Sequence, residues 1–291
     1  MMLKPAPDPG SAAVKTRWFV VIGARRTGTN ILREVLNTNH EIAMLGEVFT
    51  PSPSPAHWAN FLDRQTLRKF PPSNSAEAAS LLDEYFHFVE YRIRNHWQRN
   101  SKAASHALGF DIKYDDLRQI TPRDCPATAP PFLLRYFKLH RMLLIHTIRE
   151  NVIKCAVSEM IAQQRNLWHN YNGAIIDRGY YVEPHDCLSR ARLIVRRRAE
   201  FERLSEGCRL IEANYEQLAD AIAAATDGQM AEDAVPLKDI ARALRVPSCF
   251  NYDGRLRRAI DAPYSIIISN LAELRRAVAD SEFSKFAPTL E

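Results

Sequence analysis

A short apolar segment, a glycine-bearing loop and an amphipathic helix follow one another near the start of the chain. Trp18 to Ile22 is apolar and rich in β-branched residues, which is typical of a buried strand. From Thr27 onward, apolar residues recur on one side of a helix. Between them, Gly23 and Gly28 bracket a turn with the spacing G-x-x-x-x-G. The sequence therefore predicts a strand, a tight turn and a helix as one unit.

The turn is predicted to bind an anion. Glycine lets the backbone approach an anion closely, and the first helical N–H groups point at it with the helix dipole behind them. A Mg²⁺-dependent ATPase loop would continue with Lys and then Ser or Thr, whereas this chain continues with Thr and Asn. We therefore expect an anion bound by arginine and backbone groups without a metal. The candidate residues are Arg25, Arg26, Thr27, Gly28, Thr29 and Asn30. An ordinary turn with solvated arginines is the alternative.

A second strand-to-helix unit follows about 120 residues later. Met142 to Ile145 predicts a strand, and the apolar residues from Val152 to Ile161 repeat at the helical period. Arg149 stands at the junction, and Ser158 falls on the polar side of the helix. This unit is a second candidate anion site, with a solvated helix face as the alternative.

Glu47 is the candidate general base. It follows Gly46 and precedes a segment with prolines at every second position, which excludes regular structure there. A carboxylate held beside an anion-binding loop could accept a proton from a substrate. The alternative is a solvated loop carboxylate. Farther along, Asp111 and Lys113 share one face of a predicted strand.

Strands and helices alternate along the chain, which predicts an α/β fold of three layers with a central parallel sheet flanked by helices, similar to P-loop proteins. Ligands of such sheets bind at the carboxyl ends of the strands. Both arginine-bearing turns are therefore expected at one edge. Residues 17–291 are expected to form a single domain after a flexible leader at 1–16.

Composition limits the function classes. The chain of 291 residues has 39 basic and 34 acidic side chains, a net charge of +5 that does not require a nucleic-acid partner. Five separated cysteines without a C-x-x-C pair favour a reducing compartment over a zinc site or a disulfide framework. No apolar run has the length of a membrane span, and the first residues lack a signal-peptide core. A cytoplasmic protein is expected.

The two arginine motifs together resemble a known family. The loop from Arg25 to Asn30 resembles the 5′-phosphosulfate loop of sulfotransferases that use 3′-phosphoadenosine 5′-phosphosulfate. The segment from Ile148 through Ser158 resembles their 3′-phosphate motif, in which an arginine precedes a serine by nine residues. The pair Gly46-Glu47 resembles a matching pair in the bacterial carbohydrate sulfotransferases, a group that includes the nodulation-factor, lipopolysaccharide and trehalose enzymes.

The resemblance implies transfer of a sulfuryl group from that donor to a hydroxyl of a carbohydrate, a glycolipid or another small metabolite. It implies that Glu47 is the base and that Arg26 stabilises the leaving phosphate. Arg149 and Ser158 would hold the 3′-phosphate, with Arg257 as a candidate partner from a C-terminal basic loop. One departure is Asp111, where relatives often carry lysine.

Two other functions stay open from the sequence. One is a metal-dependent P-loop kinase of a small hydroxyl compound. The other is a non-catalytic anion-binding protein that uses the arginine-rich helix at 190–198, although charge runs on helices are usually solvated. The sequence identifies neither the acceptor nor whether the chain forms homo-oligomers.

Overall fold

A computed structural model provides the fold. It describes residues 16–50, 54, 56–65, 70–99, 106–166, 179–225, 229–231, 234–252 and 263–290, and for 96–99 the backbone alone. The predicted leader lies outside the described residues except for Thr16, and Arg257 lies outside them as well.

Five parallel strands form one sheet. They are β1 (Arg17–Gly23), β2 (Ile42–Glu47), β3 (Ala107–Lys113), β4 (Leu143–Ile148) and β5 (Arg209–Asn214). Their order across the sheet is β2-β3-β1-β4-β5, so that β1 lies at the centre. The parallel α/β architecture predicted from the alternation of elements is confirmed.

Helices cover the sheet. They are α1 (Thr29–Thr38), α2 (Trp58–Leu62), α3 (Ser75–Arg99), α4 (Phe132–Leu139), α5 (Val152–Arg165), α6 (Pro184–Leu204), α7 (Tyr215–Ala223), α8 (Leu237–Leu244), α9 (Tyr264–Ile267) and α10 (Leu271–Ala279). Short 3₁₀ segments cover Tyr114–Arg118 and Ser284–Thr289. Among the described parts of the chain, no helix combines the length and the apolar character that a membrane crossing requires.

The central strand is buried on both faces, as its continuous apolar run predicts. Val20 and Ile22 pack with residues of α3 and α4 on one face, while Phe19 and Val21 pack with α1 and α8 on the other. None of these four side chains is exposed. Each contributes about 1.5–3 kcal/mol by burial. This packing fixes β1 and thereby the position of the turn that follows it.

Several elements were not predicted from the sequence, among them β2, α2 and α4. The strand β2 ends in Gly46 and Glu47, and its pairing with β3 is irregular between Met44 and Glu47. Its sequence, IAMLGE, does not alternate between apolar and polar residues, which is the pattern by which a half-buried strand is recognised. The helix α4 has its two basic residues, Arg135 and Lys138, on one exposed side, but its 8 residues are too few for a clear periodic pattern.

Replacing Gly28 with alanine is expected to lower the free energy of unfolding by about 2 kcal/mol or more. Gly28 has φ +90°, and an added Cβ would lie 2.5 Å from Cδ2 of Tyr215. Both the left-handed backbone and the ring oppose a side chain there. Urea denaturation of the two proteins measures the difference.

Gly46→Ala is the matched control, because a Cβ at Gly46 would meet only the guanidinium end of Arg33, which is flexible. Its cost is expected to be much smaller. Equal losses in the two variants would contradict the requirement for glycine at position 28.

Candidate functional site

The turns after four strands meet at one edge of the sheet. Gly23, the last residue of β1, is in register with Lys113 of β3 and Thr147 of β4. Ile148 is in register with Asn214 at the end of β5. Ligands of parallel α/β sheets bind outside this edge. The two arginine-bearing turns therefore lie side by side, as the sequence predicted.

The loop after β1 is held in an unusual conformation. Arg26 has φ 65° and Gly28 has φ 90°, and the left-handed region costs a residue with a side chain about 1–2 kcal/mol. The Thr27 hydroxyl is buried, donates to the carbonyl of Ala24 at 2.8 Å and contacts the Thr147 hydroxyl at 2.9 Å. Thr27 thus shapes the loop. Backbone strain of this kind concentrates at functional sites.

The start of α1 presents backbone donors. Its N-cap is Gly28, which has no side chain to cap the helix, and the first helical hydrogen bond runs from Leu32 N–H to the Gly28 carbonyl at 2.9 Å. The amides of Thr29 and Asn30 precede that bond and carry the positive end of the helix dipole. Arg25 is exposed at the mouth of the loop. This arrangement suits an anion.

Residues from the two predicted motifs are in direct contact. Arg26 Nε donates to Ser158 Oγ at 3.0 Å, and Arg149 Nη1 donates a long hydrogen bond to the Arg26 carbonyl at 3.4 Å. Burial, and after it the charge of Arg149, lower the pKa of Arg26. Ser158 is buried, so it does not belong to a solvated helix face. Two guanidinium groups and a hydroxyl therefore form one cluster.

Tyr215, the first residue of α7, completes this cluster. The Arg149 guanidinium lies 4.6 Å from the centroid of the Tyr215 ring, a cation–π contact. Arg149 Nε is buried and has no hydrogen-bond partner among the described residues. The same ring approaches Gly28. No sequence motif marked Tyr215; its position directly after β5, at the carboxyl edge, is the signal that could have found it.

A second cluster forms around Lys113 at the end of β3. Lys113 Nζ donates to Thr29 Oγ1 at 3.0 Å and lies 3.2 Å from Glu47 Oε1 and 3.7 Å from Asp111 Oδ2. The Thr50 hydroxyl donates to Glu47 Oε2 at 2.9 Å. Both oxygens of Glu47 are thus engaged. The candidate base stands beside the N-terminus of α1, fixed by an ammonium group that the sequence did not assign to the site.

The two carboxyl groups beside Lys113 have opposite pKa shifts. Burial raises the pKa of Glu47, but the charges of Lys113 and Arg25 and the hydrogen bond from Thr50 outweigh it, and the net pKa is lowered. Burial raises the pKa of Asp111, with Lys113 opposing it, and neither Asp111 oxygen has a hydrogen-bond partner among the described residues. The surroundings of Glu47 therefore favour its ionised form, whereas burial opposes the ionisation of Asp111.

The two arginines of the loop after β1, Arg25 and Arg26, belong to different clusters. Arg26 turns toward Ser158 and Arg149, while Arg25 is close enough to Glu47 to lower its pKa. The cation that contacts Glu47 is Lys113, whereas the sequence had placed Arg26 at that end. Asn30, the second residue of α1, is half-buried.

The arginines of α6 lie mainly in ion pairs on the protein surface. The pairs are Arg190 with Glu159 at 3.5 Å, Arg192 with Glu282 at 2.6 Å, Arg198 with Glu202 at 2.8 Å, and Arg197 with Asp115. These carboxylates neutralise much of the charge of the helix. The pairing favours a solvated helix face over a polyanion-binding surface.

Asp111→Asn is expected to raise the free energy of unfolding at pH 7, because the raised pKa of Asp111 means that its ionisation destabilises the folded chain. This gain should vanish as the pH falls below the ordinary value of 3.8, where the carboxyl is protonated in both states. Glu47→Gln should behave oppositely. Its lowered pKa stabilises the fold above 4.5, and that contribution is lost on acidification.

Urea denaturation at pH 7 and at about pH 3 compares the two variants with the unaltered chain. A less stable Asp111→Asn protein at pH 7 would show that the Lys113 contact outweighs the burial of the carboxylate.

Comparisons with known proteins add a distant likeness among solved structures. No family model matches the chain, and no curated protein matches it. Among solved structures, a sulfotransferase from Alicyclobacillus acidocaldarius is similar over 94% of this chain and 96% of that one, at 13% sequence identity and a TM-score of 0.39. At these values the likeness carries no conclusion about the reaction, which has to be argued from the site.

Proposed function

We propose that this chain transfers a sulfuryl group from 3′-phosphoadenosine 5′-phosphosulfate to a hydroxyl group of an acceptor. The observation that carries the proposal is the contact of Arg26 with Ser158 and Arg149, because it joins two motifs that are about 120 residues apart in the sequence. A nucleotide with phosphates at both its 3′ and 5′ positions has an anion for each of the two clusters.

The cluster of Arg26, Arg149 and Ser158 suits a 3′-phosphate. Two adjacent guanidinium groups repel one another, and a dianion between them would reverse that cost. Arginine stays charged and donates two N–H groups to one phosphate, and Arg149 Nε is a buried donor still without a partner among the described residues. Ser158 adds a hydroxyl. ATP has no phosphate at the 3′ position and would make no such contact with the cluster.

The cluster of Lys113, Thr29 and Glu47 suits the reacting end. The donor supplies a sulfuryl group on a phosphate oxygen, which becomes negatively charged as the group leaves. Lys113 and the first amides of α1 would bind that phosphate, and fixed donors of this kind are worth about 10²–10³ in rate. Glu47 would accept the acceptor's proton, worth about 10²–10⁴. The Thr50 hydrogen bond and the Lys113 ion pair hold its carboxylate.

The acceptor is proposed to be a carbohydrate, a glycolipid or another small metabolite, on the sequence resemblance alone. The proposal needs no metal in the donor site, because Lys113 and two arginines supply the positive charge there. Five unpaired cysteines favour the cytoplasm as the compartment. A partner nucleic acid is not part of the proposal.

Arg149→Ala is expected to weaken binding of 3′-phosphoadenosine 5′-phosphate by about 10–100-fold, since it removes charge-assisted hydrogen bonds. Binding of AMP, which lacks the 3′-phosphate, should change little. Isothermal titration calorimetry with both nucleotides, and with ATP and Mg²⁺, measures the three affinities.

Arg192→Ala is the matched control, because Arg192 is ion-paired with Glu282 at the surface. It should leave all three affinities unchanged. Parallel losses for AMP and 3′-phosphoadenosine 5′-phosphate in Arg149→Ala would reject the 3′-phosphate role. Tighter binding of ATP with Mg²⁺ than of the 3′-phosphate nucleotide would favour the kinase.

Glu47→Gln is expected to bind 3′-phosphoadenosine 5′-phosphate nearly as the unaltered chain does, while transfer falls by about 10²–10⁴. Glutamine keeps the shape of the side chain and loses the proton acceptor. The assay follows radiolabelled sulfate from the donor to a panel of glycans, lipids and other hydroxyl compounds. If Glu47→Gln transferred sulfate as fast as the unaltered chain, Glu47 could not be the base.

A further inference from the structure

His146 lies in the middle of the sheet on the face opposite to the anion-binding loop. Its neighbour Thr147 contacts the loop through Thr27, whereas the His146 ring packs against Phe201 of α6 with ring centroids 4.6 Å apart. The side chain is fully buried. This imidazole therefore belongs to neither of the two clusters at the donor site.

Two carboxylates converge on this histidine. Glu212 of β5 is in register with His146 of β4, and Glu202 approaches from α6. One ring nitrogen of His146 and one oxygen from each carboxylate all lie within 4.8 Å of one another. Both glutamates are exposed, so small rotations of their side chains can bring the three ligand atoms around one ion.

The hydrogen bonding of His146 leaves one nitrogen available. Nε2 lies 2.6 Å from the Tyr114 hydroxyl, while Nδ1 is buried and has no hydrogen-bond partner among the described residues. When Nε2–H donates to the tyrosine oxygen, Nδ1 carries a lone pair. Histidines that bind metals commonly donate their other nitrogen to an oxygen in this way. An unpaired buried nitrogen otherwise costs free energy.

We infer that His146, Glu202 and Glu212 form a binding site for a divalent transition metal, best filled by Zn²⁺. Imidazole nitrogen with carboxylate oxygens suits Zn²⁺, whereas Mg²⁺ and Ca²⁺ prefer oxygen ligands alone. Water from the exposed side would complete the coordination. The ion ties α6 to strands β4 and β5 and takes no part in binding the sulfuryl donor.

Arg198 is the group that competes with the ion. Its Nε donates to Glu202 Oε1 at 2.8 Å, and a positive charge at this position repels a cation. A bound metal ion would therefore share the Glu202 carboxylate with Arg198 or displace the arginine from it. Arg198→Gln is therefore expected to tighten Zn²⁺ binding several-fold.

The test titrates Zn²⁺, and separately Mg²⁺, into the full-length chain by calorimetry. Glu202→Gln and Glu212→Gln are each expected to weaken Zn²⁺ binding tenfold or more, to abolish the rise in melting temperature that Zn²⁺ produces in the unaltered chain, and to leave 3′-phosphoadenosine 5′-phosphate binding unchanged. Zn²⁺ should bind at least tenfold more tightly than Mg²⁺.

His185→Asn is the matched control, because Glu183, His185 and Asp186 form a second, exposed group with ligand atoms equally close together. His185→Asn should bind Zn²⁺ at the His146 site as tightly as the unaltered chain does. Absence of Zn²⁺ binding, unchanged affinity in both glutamate variants, or loss of the site in His185→Asn would overturn the inference. Because the two glutamates are exposed, their variants test the site without disturbing the buried histidine.

Discussion

Two positive charges, on Arg26 and Arg149, are held side by side at the carboxyl edge of a parallel sheet. Burial of Arg26, and after it the charge of Arg149, lower the pKa of Arg26, and the left-handed backbone of Arg26 adds a further cost. Ser158 and the Tyr215 ring offset part of it. A fold that maintains such an arrangement gains most when an anion binds between the charges. The packing of β1 and β4 in the centre of the sheet is what makes this arrangement possible.

The left-handed backbone at Arg26 lets one loop contribute to both clusters. Arg26 faces Ser158 and Arg149, which follow β4, and the second cluster consists of Lys113, Thr29 and Glu47. Because Lys113 is almost fully buried, with 4% of its side chain exposed, its ammonium has little freedom to leave Glu47. The same ion pair keeps the carboxylate ionised and limits its basicity. The position and the ionisation of the Glu47 carboxyl therefore both depend on one buried lysine.

Local patterns were sufficient for the elements that carry strong periodicity. The β-branched run before Gly23 and the apolar face of α5 located both turns, and the nine-residue spacing located Arg149 and Ser158. Strand alternation placed Asp111 and Lys113 on one face, but which residues that face meets depends on the irregular pairing of β2 with β3. Tyr215 joins the site only through the order of the strands. Neither the pairing of β2 with β3 nor the order of the strands can be read from a local sequence pattern.

The most direct measurement is a crystal structure of the chain with 3′-phosphoadenosine 5′-phosphate. The predicted result has the 3′-phosphate bound by Arg26, Arg149 and Ser158, and the 5′-phosphate at the amides that start α1 and at Lys113. A nucleotide bound elsewhere, or one whose 3′-phosphate has no contact with either arginine, would contradict the proposed function.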